Sequence, residues 1–176
     1  MAGTLKPFTT LTDYATGRTL PNIGAEENRQ AVERFLVEAK GFAKVDIEVG
    51  VEIVLPVQGE CYRSRLDLVV RVDGAAAMVV TCAAGALGSW ERQTLAAARL
   101  IEPLPAALAV VSDGRTAFVL EALSGKRLGD SLDAVPSKDD ARRILGSAGR
   151  KSFPLERRER ESLIFRTYDL ARVNRV

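Results

Sequence analysis

Arg63–Ala84, RSRLDLVVRVDGAAAMVVTCAA, decides how the chain is read. Two apolar runs, Arg63–Val72 and Ala76–Cys82, flank Asp73-Gly74, a dipeptide that suits a two-residue hairpin turn because it tolerates positive φ. One residue breaks the apolar pattern: Asp67 stands among Leu66, Leu68, Val69 and Val70. Burying a carboxylate there costs on the order of several kcal/mol unless it is paired, hydrogen-bonded or bound to a metal. Pairing with Arg65 or Arg63 at the sheet edge is one explanation, and a functional site is the other.

Upstream, Asp46–Val57 alternates strictly, so Ile47, Val49, Val51, Ile53, Leu55 and Val57 are expected on one face and Asp46, Glu48, Gly50 and Glu52 on the other. With a turn at Gln58-Gly59-Glu60, this gives a three-strand antiparallel meander. Before it, Glu26-Glu27 opens a helix carrying Ala31, Val32, Phe35, Leu36 and Ala39, and Gly41 stops it. The acidic first turn suits the helix dipole. Residues 1–23 hold few apolar positions and read as an irregular arm with at most one short strand.

Downstream, Trp90, Leu95, Ala98 and Ile101 give an amphipathic helix that Pro103 and Pro105 end. Ala107–Val111 reads as a buried strand, with Thr116–Leu120 beside it. Further helices are expected at Lys138–Leu145 and from Pro154, the last with an apolar stripe of Leu155, Leu163, Ile164, Phe165, Tyr168 and Val173. The fold class is therefore α/β: a mixed sheet, made of the meander plus a further strand pair, flanked by helices.

The chain has 176 residues, 47% hydrophobic and 27% charged, enough for one well-buried domain. It contains no histidine, which excludes histidine general bases, Ser-His-Asp and Cys-His mechanisms and His-rich zinc sites. Two cysteines and no basic-then-apolar N-terminal segment point away from a secreted disulfide framework. No apolar run approaches the ~20 residues of a membrane span. A soluble cytoplasmic protein is expected. The net charge of +2 hides an asymmetry: residues 142–176 hold ten Arg/Lys against four Asp/Glu. Such a tail is either a solvated, salt-bridge-laced helix or a nucleic-acid contact.

Arg65-Leu66-Asp67, the hairpin and Thr81-Cys82-Ala83 resemble the N-terminal, nuclease-type domain of type I restriction enzyme R subunits, in the PD-(D/E)xK superfamily. That family reads Arg-x-Asp, apolar run, turn, apolar run, Glu-Cys-Lys. Glu26, three residues before Arg29-Gln30, matches its first-helix acid, Gln93 lies near its helical Gln, and the Ser112-Asp113-Gly114 segment is similar to its apolar run ending in Asn-Gly. The resemblance implies a restriction-endonuclease-like core over residues 24–122, after an arm at 1–23 and before a helical extension of the same domain at 123–176.

It also implies a site of Glu26, Asp67, Thr81 and Ala83 from which chemistry has been lost. Cleavage needs paired carboxylates for Mg²⁺ and a lysine beside the water, but Thr81 and Ala83 replace the acid and the lysine. The expected role is thus non-catalytic, in nucleic-acid binding or complex assembly, without a cofactor. Arg65, Arg92 and Gln93 are the candidate nucleic-acid contacts. The implied partners are DNA and restriction-system or other protein subunits, and a homo-oligomer through the last helix is compatible. An active Mg²⁺ nuclease is the alternative, with Asp67 as metal ligand and Glu52 relocated beside it, although no lysine lies between Lys44 and Lys126. A protein-interaction scaffold is the third reading.

Overall fold

The computed structural model describes residues 9–147 and 151–173, the side chains of 171–173 excepted. The elements are β1 (Thr10–Thr12), β2 (Thr19–Pro21), α1 (Glu26–Glu38), β3 (Ile47–Val57), β4 (Glu60–Val72), β5 (Ala75–Cys82), α2 (Glu91–Leu100), β6 (Leu108–Ser112), β7 (Ala117–Glu121), β8 (Arg127–Gly129), α3 (Lys138–Ser147) and α4 (Leu155–Val173). Strands β3 to β8 form one six-stranded mixed sheet in chain order, and β1 and β2 pair separately. Among the described residues only the β5–β6 pairing is parallel, and α2 makes the crossover between them. The expected meander and strand pair are both present. β8 adds a strand that the sequence does not announce, because three residues with no apolar pattern leave no periodic signal.

Both meander turns follow from backbone chemistry. Gln58-Gly59 and Asp73-Gly74 all have positive φ, the condition for a two-residue turn that matches strand twist. The core has two layers. On one face Val69, Val79, Ala109 and Leu120 meet α2 and Phe165 of α4, and on the other Leu68, Val70, Met78, Val80 and Val110 meet Val32 and Leu36 of α1 and Ala141 of α3. Ala96, Ala97 and Ala98 are all buried, so α2 approaches the sheet on one side and α4 on the other.

Three expectations need correction. The alternation of β3 does not keep one face: Ile47 and Val49 pack with α1, whereas Val51, Ile53, Leu55 and Val57 pack with α2 and α4. Gly50 at φ +65° turns the strand over between them, a conformation β-branched residues avoid. Residues 9–23, read as irregular, form the β1–β2 hairpin. The apolar stripe of α4 is only partly its buried face: Phe165 is buried and Ile164 packs against the core, but Leu155, Leu163 and Tyr168 are exposed, and Glu161, Ser162 and Asp169 point inward beside Phe165. Polar groups on α2 and β4 explain this, since they donate hydrogen bonds to the Glu161 and Asp169 carboxylates of α4. The side chain of Val173 and residues 1–8 lie outside the described residues. Among the described residues no helix is long and apolar enough to cross a membrane.

Candidate functional site

Asp67 lies at the turnover point of the meander. The β3–β4 ladder runs through Val49↔Leu68 and Val51↔Leu66 but records no pairing for Gly50 and Asp67. Leu66 packs with the α2 face and Leu68 with the α1 face, so β4 turns over together with β3. The Asp67 carboxylate accepts a hydrogen bond from the Cys82 N–H at 2.8 Å, which ties the bend to the end of β5. Its neighbours are Glu26, Arg29 and Cys82, together with Ile23 and Ala25 at the start of α1.

A polar cleft of about 280 Å³ opens beside it, between the β1–β2 hairpin, α1 and the bend. Thr16, Arg18 and Leu20 wall one side, Glu26 and Arg29 the second, and Val49, Gly50, Arg65, Leu66 and Asp67 the third. At its base Arg29 is the hub of an ion cluster. Its guanidinium donates to Asp13 at 2.6 Å, to Glu33 at 2.5 Å and to Glu26. Asp13 also accepts from the Thr16 N–H and hydroxyl, each at 2.7 Å, and from Gln30 at 3.1 Å. Burial alone would raise the Asp13 carboxyl, but these donors outweigh it and hold it down at about 2. Burial dominates at Glu33, and despite donors from the Ala15 N–H and Arg29 its carboxyl rises to about 7. Burial also pushes the Cys82 thiol well up, with the charge of Asp67 adding to it.

The structure brings together only part of the set that the resemblance implied. Glu26, Asp67 and Arg65 share the cleft. Thr81 and Ala83 do not line it. The Thr81 hydroxyl shares a 2.7 Å hydrogen bond with Thr94 of α2, and the Ala83 methyl is fully buried with Leu87 and Val111. The residue of that segment that comes next to Asp67 is Cys82, in a smaller pocket that also holds Glu26 and Arg29. Glu52, the relocated ligand of the alternative reading, pairs at 2.6 Å with Arg63 on an exposed surface and lines neither pocket that contains Asp67. This engages Arg63 elsewhere than at Asp67.

Arg92 and Gln93 are not presented to the cleft. Arg92 grips Glu161 of α4 with two bonds of 2.6 and 2.9 Å, and buried Gln93 donates to Asp169 at 2.8 Å. Asp169 also accepts from Tyr62 at 2.6 Å, and Glu161 from Arg99 at 2.9 Å. Both nucleic-acid candidates on α2 thus hold α4 in place. Asp13, Arg29 and Glu33 were missed as site residues. For the last two a signal existed: they are four apart on the helix face that carries Val32 and Leu36.

These donors do not suit a catalytic Mg²⁺. The ion favours near-octahedral oxygen coordination with one or two carboxylates beside substrate phosphate. Here Glu26 is engaged by Arg29, Thr81 is turned to α2 and Ala83 offers no donor. Among the described residues no group of three or more His, Cys, Asp or Glu is placed to hold a metal. A guanidinium occupies the centre of the acidic groups instead.

The family model described as "Type I restriction enzyme R protein N terminus" matches residues 24–136, from two residues before the start of α1 past the end of β8. No curated protein and no solved structure matches the chain. With more than half of its length matched, the chain belongs to the type I restriction enzyme R protein N-terminal family.

Proposed function

We propose that this chain is a non-cleaving member of its family, with a degenerate PD-(D/E)xK site, that acts in nucleic-acid binding or complex assembly beside restriction-system subunits. The observation that carries the reading is Arg29. A guanidinium bonded to Glu26, Asp13 and Glu33 supplies the positive charge that a nuclease of this kind draws from its metal, and it cannot polarise a water. Thr81 and Ala83, packed away from the cleft, supply neither a second strand carboxylate nor a lysine, and the one acid beside Asp67, Glu26, is paired with Arg29.

Assembly is favoured over a broad nucleic-acid face by the state of the basic tail. Arg142 pairs with Asp73 and Asp139, Arg143 with Asp140, Arg158 with Glu102 and Arg166 with Glu60. Arg157 lies over the Phe153 ring. Four of the tail's described arginines thus have a carboxylate partner within the chain, while Arg150 and the side chains of Arg172 and Arg175 lie outside the described residues. The nucleic-acid branch then depends on Arg18 and Arg65, both exposed at the cleft.

Duplex binding measured from roughly 50 to 200 mM salt separates the two roles, because each phosphate contact releases counterions. Assembly predicts negligible binding at low salt together with co-purification of a restriction-system subunit. Tight, steeply salt-dependent binding that Arg65→Ala weakens supports the nucleic-acid role.

A further inference from the structure

The β1–β2 hairpin covers one side of the Asp67 cleft through Thr16, Arg18 and Leu20. Two strands of three residues do not hold together alone in water, so the hairpin stays where its contacts hold it. Those contacts are mainly polar. Asp13 binds Arg29 and Gln30, the Tyr14 N–H binds Gln30 at 2.6 Å, the Ala15 N–H binds Glu33 at 3.0 Å and the Tyr14 hydroxyl binds Glu38 at 3.1 Å. Ala15 adds a partly buried apolar contact.

At the centre of this seam three carboxylates share one guanidinium. The side chains of Asp13 and Glu33 are fully buried, that of Arg29 is 9% exposed and that of Glu26 is 18% exposed. The other ionisable groups near this cluster are Asp67 on β4 and Cys82 on β5, exposed Arg18 and Arg65 at the cleft mouth and, further along the seam, Tyr14, which donates to Glu38 and has Arg34 and Lys44 over its ring. Fully ionised, the cluster holds two more negative than positive charges where little water screens them.

The geometry points to a proton latch: the docked hairpin keeps one proton on Glu33, and losing that proton frees the hairpin to lift from the cleft. Docked, the Glu33 carboxyl sits at about 7, whereas hydrated it returns towards 4.5. The docked state binds the proton more tightly, so docking is strongest near pH 5 and weakens as pH rises to about 8. Asp13, held low, acts only in more acidic solution. Control of the cleft follows from the latch and rests on the cleft being the binding site. The latch itself is tested without any ligand, so either reading can fail alone.

Hydrogen exchange of the full chain, corrected for intrinsic rates, tests it between pH 5.5 and 8.5 in EDTA and in Mg²⁺. Protection of residues 10–21 should fall about tenfold or more across this range, while that of 75–82 in β5 holds. Glu33→Gln, uncharged throughout, should flatten the hairpin profile. Glu26→Gln, which lowers the excess charge by one, should shrink the pH effect and serves if the first variant does not fold. A flat wild-type profile, a slope that survives both substitutions, or protection restored at pH 8.5 by Mg²⁺ would overturn the latch.

Discussion

Two buried ion clusters lie on opposite faces of the sheet, and their charge balance is reversed. On the α1 face one arginine, Arg29, serves three carboxylates; on the α2 face one carboxylate, Glu161, serves two arginines, Arg92 and Arg99. Burial raises a carboxyl in both places, but at Glu161 the donors from Arg92 and Arg99 win and its carboxyl lies below the usual range. At Glu33 the single guanidinium is divided and the carboxyl rises to about 7. The same residue types therefore build a firm anchor on one face and a proton-sensitive seam on the other. Stoichiometry decides which.

The anchor should give the largest effect. Glu161→Ala leaves Arg99, bonded also to the Ala122 and Leu123 carbonyls, and part of Arg92 without their counter-charge. Breaking a buried pair from one side commonly costs about 3–5 kcal/mol, and urea denaturation should read a loss of that order. A loss under about 1 kcal/mol would mean that α4 is held by Phe165 rather than by charge.

The seam should respond to pH in the opposite sense from an ordinary ion-paired acid. Glu33 has a folded-state pKa above its unfolded 4.5, so its contribution is complete below about pH 4.5 and is lost as pH rises through about 7. The loss has an upper bound of about 3 kcal/mol. Urea midpoints should fall between pH 5 and 8 in the wild type and stay level in Glu33→Gln. Asp13 has the reverse sign: its contribution is present above about 3.8 and is lost as pH falls towards 2.

Tyr62→Phe should have the smallest effect. It removes one 2.6 Å bond to Asp169, which still accepts from Gln93. The expected loss is about 1–2 kcal/mol, read from the same denaturation curves.

The comparison also explains what was legible in the sequence. The meander could be read because Gln58-Gly59 and Asp73-Gly74 are strong local turn signals and the flanking residues alternate. The turnover at Gly50 could not, since a glycine within an alternating run looks like one more outward position until its φ is known. Asp67 stands out as a carboxylate within an apolar run and Glu26 through a family motif, whereas Thr81 and Ala83, which the resemblance places in the site, turn to α2 and to the cluster of Leu87 and Val111. Asp13 carried no signal, being an acid in an arm with few apolar residues, whose role depends on a partner 16 positions away. Glu161, Phe165 and Asp169 share one helix face at spacing four, yet polar residues flanking a Phe do not read as a buried stripe without Arg92, Arg99, Tyr62 and Gln93 opposite.

The buried Ala83 position also bears on any attempt to rebuild the site, because a lysine there would enter the packed cluster of Leu87 and Val111 rather than the cleft. Cleavage is tested most simply on the unmodified chain. Supercoiled plasmid should be incubated with the protein in Mg²⁺ and, separately, in Mn²⁺, beside the Asp67→Asn variant. Both proteins should leave the plasmid supercoiled. Metal-dependent nicking by the unmodified chain that disappears in Asp67→Asn would contradict it.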